Sequence, residues 1–371
     1  MSQSQSDGHI AALDGVRGVA ILMVFGWHSG LLLNGSGWGE RVWLGMCSIG
    51  WAGVDLFFVL SGFLISTILI QTREDPHYFR NFFTRRVLRI FPLYFGSLLV
   101  LSQILENQAG WTWYCFFAQN WIGVFVATQP PKILGPYWSL AVEEQFYLVW
   151  PFVICLLRPR HIPLFCVLVA FIAFAARVVA TWEGVNVWLI HGVTIFRLDA
   201  LALGSLVASL RIERQVERLR WAPALMAASL GGLILIGIVE NGYHIEGTWG
   251  TTAGFTLMAI LSATIIAMIV EKHPLMRMAC NFLEWRPLRH FGNRSYAIYV
   301  IHLPVLIATK SIYQRRFADY DDSGTLDILC LLMSFVVCLV LSEISWHVVE
   351  KPFLRLKRRF PRGEAVALPA H

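Results

Sequence analysis

Charge is scarce in this sequence. Only 15% of its 371 residues are Asp, Glu, Lys or Arg, against 56% hydrophobic residues. Soluble domains carry about 25% charged residues, so a water-soluble domain of this length is excluded. There is no polar low-complexity linker and no internal repeat. No polar segment presents a basic face, which argues against nucleic acid as a partner. A P-loop, a GxGxxG turn after a strand and an HExxH helix are all missing. The histidines lack metal-ligand spacing, so no metal is expected. There is no CxxC pair among the seven cysteines. Cys155, Cys166, Cys330 and Cys338 fall in apolar runs, where cysteine packs as a small hydrophobe. Only Cys47 and Cys115 fall in loops expected outside, so any disulfide would join those two. Met1 to Ile10 is polar without a basic stretch and is not expected to be a cleaved signal peptide.

What the chain does have is long apolar runs. A hydrocarbon core of about 30 Å takes roughly 20 residues of helix. Ten such stretches occur, near Gly15–Leu33, Ile49–Ile70, Ile90–Leu105, Leu140–Leu157, Pro163–Trp182, His191–Leu210, Trp221–Glu240, Gly250–Val270, Gly292–Tyr313 and Thr325–Trp346. The segment Trp111–Val126 is aromatic but short, and reads as interfacial or re-entrant, with an eleventh span as the alternative. The 15 tryptophans suit two interfacial belts. Basic residues cluster in alternate loops: Arg73–Arg89, Arg158–Arg160, Arg211–Arg220, Lys272–Arg289 and Lys351–Arg362. The intervening loops hold only Arg41, Lys132, Lys310, Arg315 and Arg316. The positive-inside rule then puts both termini in the cytoplasm. The expected fold is an all-α, polytopic bundle of about ten transmembrane helices in a plasma (bacterial inner) membrane. Residues 1–10 form a short cytoplasmic segment, 11–350 the membrane domain and 351–371 a basic tail.

Charges inside spans cost at least ~2.5 kcal/mol each on insertion scales, so each needs a reason. The first span holds Asp14, Arg17 and His28. Eleven helical steps separate Arg17 from His28, which puts them about 20° apart around the axis and about 16 Å apart along it. Asp14 falls on the same face, within about 40° of His28. All three are expected to point into the bundle, with Asp14 and Arg17 near the cytoplasmic mouth and His28 deeper. As a packing-only alternative, they form an anchor pair and a core histidine.

The motifs around these residues carry a family resemblance. Leu13-Asp14-Gly15-Val16-Arg17-Gly18-Val19-Ala20, followed by His28, resembles the opening signature of the acyltransferase-3 membrane family, with its Arg-x10-His spacing. Five further blocks follow in order. They are Gly53–Ile65, the basic Arg85-Arg86-Val87-Leu88-Arg89-Ile90-Phe91-Pro92, the acidic Trp138-Ser139-Leu140-Ala141-Val142-Glu143-Glu144-Gln145-Phe146-Tyr147, Phe196–Gly204 and Gly292–His302. The resemblance runs from about Leu13 to Pro352. Larger members of the family add a periplasmic hydrolase-like domain, which is not expected here.

The resemblance implies transfer of an acyl group, acetyl above all, from acetyl-CoA or another acyl-CoA to a hydroxyl, often a sugar. His28 becomes the catalytic base and Arg17 a donor contact. Residue chemistry supports both roles, since imidazole titrates near neutral pH and guanidinium suits phosphate. Arg85, Arg86 and Arg89 are further candidates for the donor's phosphates, although a basic helix end is also a common topology anchor. Glu143 or Glu144 is expected to orient His28 or hold the acceptor hydroxyl, with a helix-dipole role as the alternative. Asp14, beside Arg17, is a further catalytic candidate. Trp138, Ser139 and Tyr147 accompany the glutamates as substrate contacts. Arg197 and Asp199 form either a structural lock or part of the site. Ser61, Ser295, His302 and His347 are read as packing residues. Direct transfer and an acyl-histidine intermediate both fit. Acceptor preference is expected in the loops Glu106–Pro136 and Asp319–Thr325. The competing function is a transporter or flippase for a lipid-linked sugar, with the same buried charges lining a path. Oligomeric state is not encoded in any feature of the sequence.

Overall fold

The computed structural model describes residues 10–33, 37–105, 110–126, 131–213, 215–242, 246–317 and 324–360. Every regular element among them is helical. Eleven longer helices carry the architecture: α1 (Ala11–Ser29), α2 (Trp38–Cys47), α3 (Gly53–Gln71), α4 (Tyr78–Ser102), α5 (Tyr137–Leu156), α6 (Ile162–Trp182), α7 (Leu198–Ile212), α8 (Ala222–Val239), α9 (Phe255–Val270), α10 (Arg286–Phe317) and α11 (Gly324–Ser345). Residues 1–9 and 361–371 of the expected termini lie outside the described residues, as do 106–109, 127–130 and 319–323 of the two acceptor loops.

Seven segments among the described residues are long and apolar enough to cross a membrane: Trp38–Gln71, Tyr137–Leu156, Pro159–Trp182, Leu219–Val239, Gly250–Val270, Arg286–Arg316 and Asp327–Leu356. Three helices at expected span positions fall outside this set. In α1 and α4, Asp14, Arg17, Arg80, Arg85, Arg86 and Arg89 lower the apolar content. The third, α7, has 15 residues, a length of only about 22 Å. Two of them, α7 and α1, are also interior helices. α7 packs on α3, α6 and α9, while α1 packs on α10 and α3. Surrounded by protein, they need less apolar surface.

Polarity is inverted relative to a soluble bundle. On α6, Leu164, Leu168, Phe171, Ile172 and Val179 face outward at helical spacing, while Arg177 on the same helix is fully buried. Such an apolar exterior is the solvation a bilayer provides. Close backbone approach holds the interior together. A Cβ at Gly204 on α7 would strike the Val59 carbonyl of α3, and one at Gly292 on α10 would strike the Asp14 carbonyl of α1. Small residues at such contacts permit tight helix packing in membranes.

The segment Trp111–Val126 forms two short helices, Trp111–Cys115 and Ile122–Phe125, neither long enough to cross. It is pinned to α5: Gln145 Nε2 donates to the Phe117 carbonyl at 2.7 Å, and Gln119 Nε2 to the Tyr137 carbonyl at 2.7 Å. All seven cysteines are free thiols, Cys47 and Cys115 included.

Candidate functional site

A cavity of about 870 Å³, its mouth included, lies between α1, α3, α4, α5 and α10. Three guanidiniums border it: Arg17 from α1, and Arg86 and Arg89 from one face of α4. Their helices run antiparallel to α5, whose Glu143, Glu144 and Tyr147 form the middle of the wall. Ser139 of α5 and Tyr299 of α10 lie farther from the arginines, one to two turns along their helices, and Ser61 of α3 and Ser295 and Tyr296 of α10 add polar groups. Seven residues singled out from sequence are therefore brought together: Arg17, Arg86, Arg89, Ser139, Glu143, Glu144 and Tyr147.

Polar contacts hold this lining. The Arg86 guanidinium lies 5.2 Å from the Tyr147 ring centroid, within cation–π range. Glu143 lies beside the Ser61 and Tyr147 hydroxyls, which bond to each other. Tyr296 donates to the Ile90 carbonyl of α4 at 2.8 Å. Asp14 is buried behind Arg17 and pairs with it at 3.5 Å, one turn away. At the other end, the Tyr299 hydroxyl lies 2.5 Å from Ser139 Oγ and 2.9 Å from the Pro136 carbonyl.

His28 stands one ring beyond that end. It does not line the cavity. Its Nδ1 lies 2.9 Å from the Val24 carbonyl and 3.2 Å from Nε2 of His302. His302 is fully buried, and its ring centroid is 5.7 Å from that of Tyr299. The arrangement corrects two expectations. The ring partners of His28 are a carbonyl and a second imidazole; neither glutamate is among them, because Glu143 lies beside Ser61 and Tyr147. His302, read as a packing residue, is buried with its Nδ1 on backbone carbonyls and also contacts His28. The helix-dipole reading of the glutamates also fails. α5 begins at Tyr137, so Glu143 and Glu144 lie nearly two turns in, and the dipole effect fades within the first turn.

Three other expected site residues serve elsewhere. Arg85 donates through Nη1 to the carbonyls of Lys357 (3.1 Å) and Phe360 (2.6 Å), so it ties the C-terminal segment to α4. Arg197 pairs with Asp55 of α3 at 2.6 Å, and Asp199 with Arg177 of α6 at 2.6 Å. All four are buried, which makes this a lattice across α3, α6 and α7. Trp138 does not line the cavity and packs against the lattice: its ring lies 5.8 Å from the Arg197 guanidinium and 4.5 Å from the His191 ring. His347 is exposed and turns its Nδ1 to the Glu343 carbonyl. No group of three or more His, Cys, Asp or Glu able to hold a metal occurs among the described residues.

Sequence reading missed Ser61, Tyr296, Tyr299 and His302 as site residues. Tyr296, Tyr299 and His302 recur every three residues, which puts them along one side of α10. That periodicity was visible, but tyrosine and neutral histidine on a helix face are ordinary core residues.

A family profile described as an acyltransferase domain matches residues 10–343. The chain belongs to the acyltransferase-3 family. Every cavity-lining residue named above falls inside the matched region. Relatives of the chain include O-acetyltransferase OatA of Staphylococcus aureus (strain NCTC 8325 / PS 47), 27% identical over 95% of this chain and 58% of the relative. Peptidoglycan O-acetyltransferase OatA of Listeria monocytogenes serovar 1/2a is also 27% identical, over 93% of this chain and 56% of the relative. The chain thus spans less than three fifths of the length of these curated relatives. No solved structure matches this chain.

Proposed function

We propose that this protein is a membrane O-acetyltransferase that moves an acetyl group from acetyl-CoA to a carbohydrate hydroxyl, with a peptidoglycan-type sugar as the first acceptor to test. The observation that carries the reading is the polarity of the site along one axis. Three guanidiniums border the cavity at one end, and a histidine pair stands past the other. Donor phosphates suit the first, and a hydroxyl that must lose a proton suits the second. In this reading the ten expected spans are the seven long apolar helices together with α1, α4 and α7. Both termini are cytoplasmic, so the arginines face the compartment that holds acetyl-CoA.

The chemistry follows from the residues. Arg17, Arg86 and Arg89 hold the donor's phosphates. Glu143, Tyr147 and Ser61 fix Arg86 and line the path of the pantetheine arm. The Arg17–His28 offset of about 16 Å along α1 is the order of that arm's length. His28 Nε2 takes the proton of the acceptor hydroxyl as its oxygen bonds to the acetyl carbon. The carbon–sulfur bond breaks, and the proton passes to the departing thiolate. Relatives named for peptidoglycan O-acetylation support the carbohydrate acceptor.

The deciding experiment uses the purified protein in detergent, with acetyl-CoA and soluble peptidoglycan fragments. The expected result is ester formation by the wild type and a loss of about 10²–10⁴-fold in His28→Ala, the usual span of general-base catalysis, at an unchanged melting temperature. Wild-type protein that makes no ester but moves a lipid-linked sugar across proteoliposomes would establish the carrier instead.

A further inference from the structure

We propose that His302 is the positioning residue of His28, and that the two form a neutral imidazole pair which decides where the reacting lone pair sits. The proposal deepens the acyltransferase reading and rests on it for its kinetic consequence, but its geometry stands alone.

The argument is one of proton accounting. A carbonyl oxygen only accepts hydrogen bonds, and a neutral imidazole has one N–H and one lone pair. His302 Nδ1 lies 2.7 Å from the Tyr299 carbonyl and 3.2 Å from the Ile298 carbonyl. Nδ1 must therefore carry the proton, and Nε2 keeps the lone pair. That lone pair faces His28 Nδ1 at 3.2 Å, and His28 Nδ1 also faces the Val24 carbonyl at 2.9 Å. Both neighbours accept, so His28 Nδ1 carries its proton as well. The lone pair of His28 is left on Nε2, the nitrogen a general base needs free. Backbone carbonyls on α1 and α10 thus set the tautomer of a nitrogen neither of them touches.

In a Ser–His–Asp triad a carboxylate does this work. Among the described residues no carboxylate lies within ion-pair distance of His28. A neutral acceptor avoids burying a second charge, which in a dry interior costs several kcal/mol. It still serves once His28 has taken the hydroxyl proton. The Nδ1–H of the imidazolium then points at the His302 lone pair, and the positive charge is stabilised until the proton leaves for the thiolate. No proton is consumed by His302 over the cycle. Because the Val24 carbonyl shares the duty, losing His302 should cost less than the ~10⁴-fold seen when a triad carboxylate is replaced.

The test combines a spectroscopic readout with kinetics. Wild-type protein labelled with ¹⁵N-histidine is placed in nanodiscs, and among its 11 histidines the signals of these two rings are assigned by their loss in His28→Ala and His302→Phe. Both rings are expected to show a protonated Nδ1 and a lone pair on Nε2. His302→Gln, whose amide oxygen can occupy the Nε2 position, should keep the His28 tautomer and turn over acetyl-CoA close to the wild-type rate. His302→Phe, which fills the volume without an acceptor, should lower kcat by about 10–100-fold with KM unchanged. A His28 ring protonated on Nε2 in the wild type would overturn the proposal. So would folded His302→Phe working at the wild-type rate, or folded His302→Gln failing as badly as His302→Phe. If His302→Phe does not fold, the wild-type spectrum and the glutamine variant still decide. The expected spectrum in a wild-type protein without acyl transfer would retain the pair and sink the acyltransferase reading alone.

Discussion

Arg86 is the residue on which the cavity's chemistry turns. It stacks over Tyr147, and Glu143 lies beside that tyrosine, so its guanidinium is pre-set before any phosphate arrives. A charge-assisted hydrogen bond contributes about 1.5–3 kcal/mol, so Arg86→Gln should raise KM for acetyl-CoA about 10–100-fold. kcat should change little, because the arginine touches the donor far from the reacting carbon. Steady-state kinetics at varied acetyl-CoA separate the two parameters. A fall in kcat alone would place Arg86 at the chemistry and not at the phosphates. Arg17 was legible in the sequence because charge inside an apolar run demands an explanation, and Arg86, Arg89 and the glutamates because they stand in the blocks that resemble the family. Tyr299 and His302 were not, since neutral rings on a helix face look the same whether they pack or act. The His28–His302 contact joins residues 274 positions apart, and a single sequence contains nothing that couples them.

At the scale of helices, the ion pair between α3 and α7 is the informative element. Arg197 and Asp55 meet through one 2.6 Å contact, yet Arg197 Nε and Nη1 and Asp55 Oδ2 have no hydrogen-bond partner among the described residues. Such a pair locks two helices without stabilising them strongly. Removing one partner leaves an uncompensated buried charge, so Arg197→Leu should destabilise the fold by about 3–5 kcal/mol. The double variant Asp55→Leu/Arg197→Leu should recover most of that loss. Thermal unfolding in detergent reads both, and a double variant less stable than either single one would show that the pair contributes net stability. Sequence placed Arg197 and Asp199 on different faces in need of partners, and the structure supplies Asp55 and Arg177. Helix ends were less legible. α4 begins at Tyr78, twelve residues before its apolar stretch, because hydropathy registers only the part a lipid would see. The polar first turns are helical through packing on protein.

For the whole molecule, sidedness is the property to measure. Cys115 is exposed in the short helix that follows α4, and Cys280 is half-buried in the helix Arg277–Leu283 beside the start of α10. If both termini are cytoplasmic, as proposed, a membrane-impermeant maleimide should label Cys115 in intact cells and reach Cys280 only after permeabilisation. Burial and the neighbouring Glu284 push the Cys280 thiol up, so mildly alkaline labelling gives its thiolate a fair chance. Labelling of Cys280 from outside would invert the topology and move the arginines away from the donor.

Holding charged groups at several depths also sets an electrical condition. Each elementary charge that crosses the membrane discharges about 2.3 kcal/mol per 100 mV of potential. An unbroken polar file from Arg17 past the glutamates to His28 would be a wire for protons. The Tyr299 phenol, tied to Ser139 and the Pro136 carbonyl, stands across that file between the cavity and the histidine pair. It puts a neutral ring between the guanidinium end of the cavity and the histidine pair.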